Sequence, residues 1–265
     1  MRTFFNWGSV YVWIIVLILA LKGEVFAGRP LTTDDTETIE TGHWEIEFGA
    51  SYLKYVESSY EDGKFSKKVF RETTLEVSAK YGILNNWDAG ITIPYIFADN
   101  PEEKNLDGFE DIQIQTKYRL FEEKNILPYY ALGVTLKTQS ANEDKGLGTG
   151  QVEVGVNNIF SKEIGNFTTH LNLGYNFLTK RKGQDDTFCY GLAWEYALLK
   201  EKLNLVGEIF GETNFKGDFD ANPMSGLVGL NYALTKQLAF DIGSNFGISE
   251  SAPDYEVIAG FTLSL

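Results

Sequence analysis

The sequence has little cysteine, histidine and positive charge, and each shortage narrows the range of functions. Cys189 is the single cysteine among 265 residues, so the chain cannot form an internal disulfide, and nothing indicates a cysteine-based metal site. A net charge of −14 argues against nucleic acid as a partner, because phosphate contacts need clustered lysine and arginine. No long apolar run follows Leu21, which excludes a transmembrane helix beyond that point.

The two histidines, His43 and His170, are the first candidates for catalysis. A serine hydrolase needs a serine, a histidine and an orienting polar group in register. The spacing offers no such set, so we interpret His170 as structural. The acidic stretch from Asp99 to Asp111 lacks the ligand spacing of a known calcium loop. We therefore predict no enzyme activity and no bound cofactor or metal.

Residues 1–27 have the features of a secretory signal peptide. Arg2 precedes an apolar run that is continuous from Val10 to Leu21. Small or short residues at Val25 and Ala27 place the cleavage site before Gly28. An uncleaved anchor helix is the competing interpretation. Residues 28–43 are polar and rich in threonine and acidic residues. We predict that they form an extended periplasmic lead-in, too short to be a folded plug domain.

What the sequence has in abundance is alternation with a period of two. Between residues 111 and 120, apolar or neutral side chains alternate with polar or charged ones, so this strand has an apolar side and a wet side. Its ten residues match the roughly 9–11 residues of a tilted strand that crosses a bilayer. The pattern recurs along residues 44–265. The charged stretch 56–69 has no period and is predicted to be a loop. The weakest strand prediction is 203–211, where Val206 and Phe210 share the face of Glu208.

These strands predict an all-β fold, a closed antiparallel transmembrane β-barrel of about 12 strands over residues 44–265. The apolar faces contain no charged residue, whereas a soluble sandwich would have a polar outer face. Aromatic residues gather near both ends of the strands, as in the girdles of membrane barrels. Short turns and longer loops alternate, and an even strand count brings both termini to the periplasmic side. We expect a monomer in the outer membrane of a Gram-negative bacterium, with outer-membrane lipid and the barrel assembly machinery as partners.

The charged residues on the opposite faces of the strands are predicted to line the lumen. They comprise ten acids and four bases, a net charge of −6, so a conducting pore should prefer cations. These residues are Glu45, Glu47, Glu76, Lys80, Asp88, Asp111, Lys117, Arg119, Lys137, Glu153, Glu195, Glu208, Asp241 and Glu256.

Several short motifs follow one another along the chain: Arg29-Pro30-Leu31 with Thr33-Asp34-Asp35, Gly42 to Glu47, Gly108 to Asp111, Thr116 to Arg119, and Gly146 to Gly150. In this order they resemble the start, the central strand and the following loop of the outer-membrane β-barrel family labelled "MetA pathway of phenol degradation". The resemblance implies transport of aromatic or other small hydrophobic compounds and does not imply catalysis. We therefore expect a passive, porin-like channel for small solutes. The alternative is a structural or surface-interaction barrel whose lumen is filled by side chains.

Overall fold

The computed structural model describes residues 28–61, 64–99, 106–179, 185–199, 202–216 and 222–265, so the predicted signal peptide lies outside the described residues. Almost all regular structure is β-strand, and one 3-10 turn spans Glu143–Lys145. Among the described residues, no helix is long and apolar enough to cross a membrane. The strands are β1 (Trp44–Glu61), β2 (Lys64–Leu84), β3 (Trp87–Asp99), β4 (Leu106–Phe109), β5 (Gln113–Phe121), β6 (Tyr129–Lys137), β7 (Glu153–Ile164), β8 (Phe167–Leu178), β9 (Thr187–Leu199), β10 (Leu203–Thr213), β11 (Met224–Ala233), β12 (Leu238–Gly247) and β13 (Tyr255–Ser264).

The strands close into a single antiparallel barrel. Except for β4 and β5, each strand pairs with its neighbour along the chain, and β1 pairs with β13 to complete the ring. Both β4 and β5 pair with β3, so they are two parts of one wall strand that is interrupted at residues 110–112. The ring therefore has twelve strand positions, which confirms the predicted fold. The interruption also means that Asp111 and Ile112 precede β5 instead of opening it.

The outer surface of the barrel is apolar and the inner surface is polar. On β1, Trp44 is 47% exposed, whereas the neighbouring Glu45 is 5% exposed because it points into the barrel. Aromatic pairs occur near both ends of the wall, Trp44 with Tyr81 at 4.8 Å between ring centroids and Tyr52 with Tyr255 at 6.4 Å. Large exposed apolar side chains around the outside are stable only against lipid, so the barrel spans a membrane.

Two stretches differ from the predicted pattern for physical reasons. The charged stretch 56–69 is not a loop, because β1 and β2 remain paired from Val56 opposite Val69 to Glu61 opposite Lys64. On β10, Val206 and Phe210 do share the inner face with Glu208. Val206 is only 1% exposed, so this apolar side chain is buried within the barrel, which weakens the alternation there.

Candidate functional site: a lumen crossed by the N-terminal strap

Residues 28–43, here called the strap, lie largely inside the barrel. The backbone N–H groups of Thr32 and Thr33 each donate to a carboxylate oxygen of Glu208 on β10, both at 2.7 Å. The Asp34 N–H donates to Asn172 Oδ1 on β8 at 3.0 Å. The sequence predicts a lead-in outside the barrel. The structure instead holds this segment in the lumen, because inward-facing side chains accept hydrogen bonds from its backbone.

The strap follows the inner wall from strand to strand. Arg29 lies 3.6 Å from the carboxylates of Glu76 on β2 and Asp241 on β12. Further along, the Ile39 N–H donates to Asp88 Oδ2 on β3 at 3.1 Å. The strap leaves the lumen beside β2, where the Gly42 N–H donates to the Gly82 carbonyl oxygen at 2.8 Å. These contacts are spread around the ring, so the wall fixes the strap along its length.

Glycines of the wall provide the space for this close approach. A Cβ at Gly243 would lie 3.0 Å from Pro30 Cγ, and a Cβ at Gly229 would lie 2.7 Å from the same atom. A Cβ at Gly49 would lie 2.5 Å from the Arg29 guanidinium. A side chain at Gly229 would displace Pro30, and one at Gly243 or Gly49 would require the proline ring or the flexible guanidinium to shift, so glycine leaves room for the strap.

A serine, a histidine and a carboxylate meet beneath the strap, although the sequence spacing predicts no such set. Ser161 Oγ and His170 Nδ1 are 2.8 Å apart, and His170 Nε2 is 3.3 Å from Glu195 Oε1. The signal was available in the register, because Ser161 and His170 are directly opposite in the β7–β8 hairpin. Ser161 is 5% exposed, and its hydroxyl accepts the Thr36 N–H at 3.1 Å. The described contacts therefore assign this chain of groups to holding the strap.

Two lysines in the lumen each form ion pairs with two carboxylates. Lys80 Nζ lies 3.3 Å from Glu45 Oε1 and 2.9 Å from Glu47 Oε1. Lys117 Nζ lies 3.0 Å from Asp34 Oδ1 and 3.4 Å from Asp35 Oδ1 on the strap. Because both lysines point into the barrel, they offset the repulsion that would otherwise arise between the acidic wall and the acidic strap.

The remaining charged residues that the sequence assigned to the lumen have varied partners. Lys137 pairs with Glu153 at 3.6 Å, and Arg119 pairs with Glu122 at 3.1 Å. Glu256 accepts a hydrogen bond from Asn245 Nδ2 at 3.2 Å.

Asp111 instead fixes the long β6–β7 loop. Its carboxylate accepts the N–H groups of Ala141 at 2.9 Å and Thr149 at 3.3 Å.

Two cavities occupy the lumen on either side of the strap. The inner cavity, about 660 Å³, lies toward the short turns, where Asn85 and Glu122 line it. The outer cavity, about 650 Å³, lies toward the long loops, where Lys137 and Pro223 line it. Strap residues 34–40 line the inner cavity, whereas Thr32 and Thr33 line the outer one. The strap is therefore the boundary between the two cavities.

The strap also makes the lumen more acidic. Residues 28–43 contribute one arginine against four carboxylates, a net charge of −3 with the histidine neutral. Among the described residues, no group of three or more histidine, cysteine, aspartate or glutamate side chains is arranged to hold a metal ion. The arrangement supports passage or binding of small solutes in an acidic environment.

A family model described as "Putative MetA-pathway of phenol degradation" matches residues 27–265. None of the curated proteins compared with the chain matches it. Three similar solved structures are a channel, a porin and a transporter. The COG4313 outer membrane channel from Pseudomonas putida F1 has a TM-score of 0.68 and 14% identity, covering 91% of this chain and 100% of its own. The NanC porin has a TM-score of 0.53 and 12% identity, covering 84% and 100%. The P. putida toluene transporter TodX has a TM-score of 0.52 and 6% identity, covering 92% and 95%. At these identities the likeness establishes the shared barrel fold.

Proposed function

Because the chain belongs to the family described as "Putative MetA-pathway of phenol degradation" and forms an outer-membrane barrel, we propose that it is a passive channel for small solutes, aromatic compounds among them. The observation that carries the proposal is the lumen. Cavities of about 660 and 650 Å³ extend from the two sides of the barrel toward the strap. A passive channel needs water-accessible space that reaches inward from both sides of the barrel, and it needs no catalytic group.

The charges of the lumen support a preference for cations. The ten acids and four bases assigned to the wall carry −6, and the strap adds −3. A narrow passage with one prevailing sign of charge concentrates counter-ions within it. Five acids of this set lie within 3.6 Å of a lysine or arginine, so their charges are partly offset: Glu45, Glu47, Glu76, Glu153 and Asp241.

The second candidate function is a structural or surface-interaction barrel. The observation that favours it is the strap itself, which crosses the lumen between the two cavities and is held by backbone hydrogen bonds. In that case the strap would close the barrel permanently, and the long loops would carry the function. The two candidates differ in whether the folded protein passes current.

Reconstitution of the purified mature protein into a planar bilayer separates these candidates. The channel proposal expects stepwise conductance events that appear only after the protein is added. A protein that is heat-modifiable on a gel, and therefore folded, but that passes no current and takes up no solute would contradict the proposal. Uptake of phenol and toluene into proteoliposomes tests the aromatic class directly.

We also propose the processing and surroundings of the chain. Residues 1–27 act as a signal peptide that is removed before Gly28, and Gly28 itself lines the inner cavity. The barrel is inserted by the barrel assembly machinery and remains a monomer in outer-membrane lipid. The mass of the protein extracted from outer membranes tests the cleavage position, and its mass in detergent by light scattering tests the monomer.

A further inference from the structure

The outer cavity has one aromatic side chain on its β10 wall. Phe210 points inward, and its register neighbours are Gly191 on β9 and Ser225 on β11. Because both neighbours are small, neither covers the face of the phenyl ring. Among the described strands, Tyr129 on β6 is another inward aromatic side chain, and it lines the inner cavity. The inward Tyr55 and Phe70 contact each other where β1 and β2 pair, at 5.9 Å between ring centroids. Phe210 therefore presents an open aromatic face to the outer cavity, which Tyr190 on β9 also borders.

The other wall of the outer cavity offers hydrogen-bonding groups without partners. The Gln113 amide and the Thr135 hydroxyl make no hydrogen bond within the described part of the chain, and both line the cavity. Asn157 Nδ2 donates to Asn172 Oδ1 at 2.7 Å, but Asn157 Oδ1 is buried without a partner. The buried Asn157 oxygen calls for an explanation, and a bound ligand is one. The part-exposed Gln113 and Thr135 groups are available to the same ligand.

The polar groups follow the wall from Asn157 on β7, three strand positions from β10, through Thr135 on β6 to Gln113 on β5. Gln113 on β5 is five strand positions from Phe210 on β10 in a ring of twelve, so the two are nearly opposite. The charged pair in this cavity, Lys137 and Glu153, is mutually neutralised at 3.6 Å, and Glu212 leaves an excess negative charge that disfavours anions. A volume of about 650 Å³ lies within the roughly 300–1,000 Å³ range of small-molecule sites.

We propose that the outer cavity is a binding site for a neutral ring that carries several hydroxyl groups, a solute of the monosaccharide class. One apolar face of the ring stacks on Phe210, and its hydroxyl groups pair with Asn157 on β7, Thr135 on β6 and Gln113 on β5. A plain aromatic hydrocarbon would leave all three polar groups unpaired, and a ring with one hydroxyl would satisfy only one of them. The inference rests on the proposed function, because the bound ring is a solute that enters the channel.

Saturation-transfer NMR on the intact mature protein in detergent micelles tests the site, with glucose as the probe and phenol and toluene as comparison solutes. We expect saturable glucose binding that is tighter than toluene binding. Phe210→Ala and Gln113→Ala should each weaken it about three- to tenfold, the value of a stacking or hydrogen-bonding contact. The matched control is Tyr129→Ala, which removes the inward aromatic ring of the other cavity and should leave glucose binding unchanged. Each variant is first checked for heat-modifiable migration, so that only folded protein is compared.

Three results would overturn the site: no saturable glucose binding, binding that Phe210→Ala leaves intact, or toluene bound more tightly than glucose. The binding measurement needs no ion current, so a negative result for the site does not depend on whether the channel conducts. A protein that conducts ions but ignores glucose contradicts this site alone. A protein that binds glucose but never conducts or takes up solute contradicts the channel alone.

Discussion

Replacing Glu208 by glutamine should release the middle of the strap. The Glu208 carboxylate accepts two backbone N–H groups, those of Thr32 and Thr33, each at 2.7 Å. Hydrogen bonds to a charged group contribute about 1.5–3 kcal/mol, and those between neutral groups about 0.5–1.5 kcal/mol. Glutamine has one acceptor oxygen, so one bond is lost and the other loses its charge. The local docking free energy should fall by about 2–5 kcal/mol, which corresponds to roughly 30- to 4,000-fold in the docking equilibrium.

Hydrogen exchange measured by mass spectrometry on a peptide that contains Thr32 and Thr33 reads this change directly. Exchange should accelerate by a similar factor in Glu208→Gln, because the amides exchange when the strap opens locally. The matched control is Glu212→Gln, on the same face of the same strand. Glu212 makes no hydrogen bond to the described strap, so its replacement should leave exchange unchanged. Strap exchange within threefold of the unmodified protein in Glu208→Gln, or equal acceleration in Glu212→Gln, would refute this reasoning.

Three further perturbations test the wall, the charge and the fit of the strap. Leu132→Arg places a charge on the lipid side, which should cost about 2–4 kcal/mol of folding free energy near the bilayer centre and abolish heat-modifiable folding. Thr135→Arg lies inside the barrel and should fold. Equal loss in both variants would mean that the inward and outward faces are assigned wrongly. Under a KCl gradient the reversal potential should lie on the potassium side at low salt. This cation preference should weaken toward 1 M, where the Debye length is about 3 Å. A chloride-side value would contradict the charge assignment. Gly243→Ala should speed hydrogen exchange of the strap, because the added Cβ would lie 3.0 Å from Pro30 Cγ. Gly174→Ala should not, because its nearest contacts are 3.4 Å away. Identical exchange rates in both variants would refute the close packing of the strap against Gly243.

The wall of the barrel was predictable because alternation is a local property. A strand that separates lipid from a wet interior must place apolar and polar residues at alternate positions, and Trp44 with Glu45 shows both sides in two adjacent residues. Phe210 broke this rule because it lies inside, over small neighbours. The pairing of Val56 with Val69 was missed because strands that extend past the membrane no longer need an apolar side.

The interior could not be predicted in the same way, because it depends on contacts between residues that are far apart in the chain. The strap binds through its backbone, and Thr33 contacts Glu208 across 175 positions of sequence. A polar segment that binds through backbone N–H groups looks the same in sequence as one that is solvated. The pairing of Ser161 with His170 was within reach, because both are the same distance from the hairpin turn. The role of this pair could not be predicted, because the sequence predicts that the strap lies outside the barrel.

The most direct test of the central claim compares single-channel conductance for two chains, one of residues 28–265 and one of residues 42–265 that lacks most of the strap. Both are reconstituted into planar bilayers after heat-modifiable migration shows that they are folded. If the lumen is a passive channel divided by the strap, both chains should conduct, and removal of the strap should raise the conductance several-fold because the two cavities then join. No current from either folded chain would contradict a channel, and equal conductance from both would contradict the strap as its constriction.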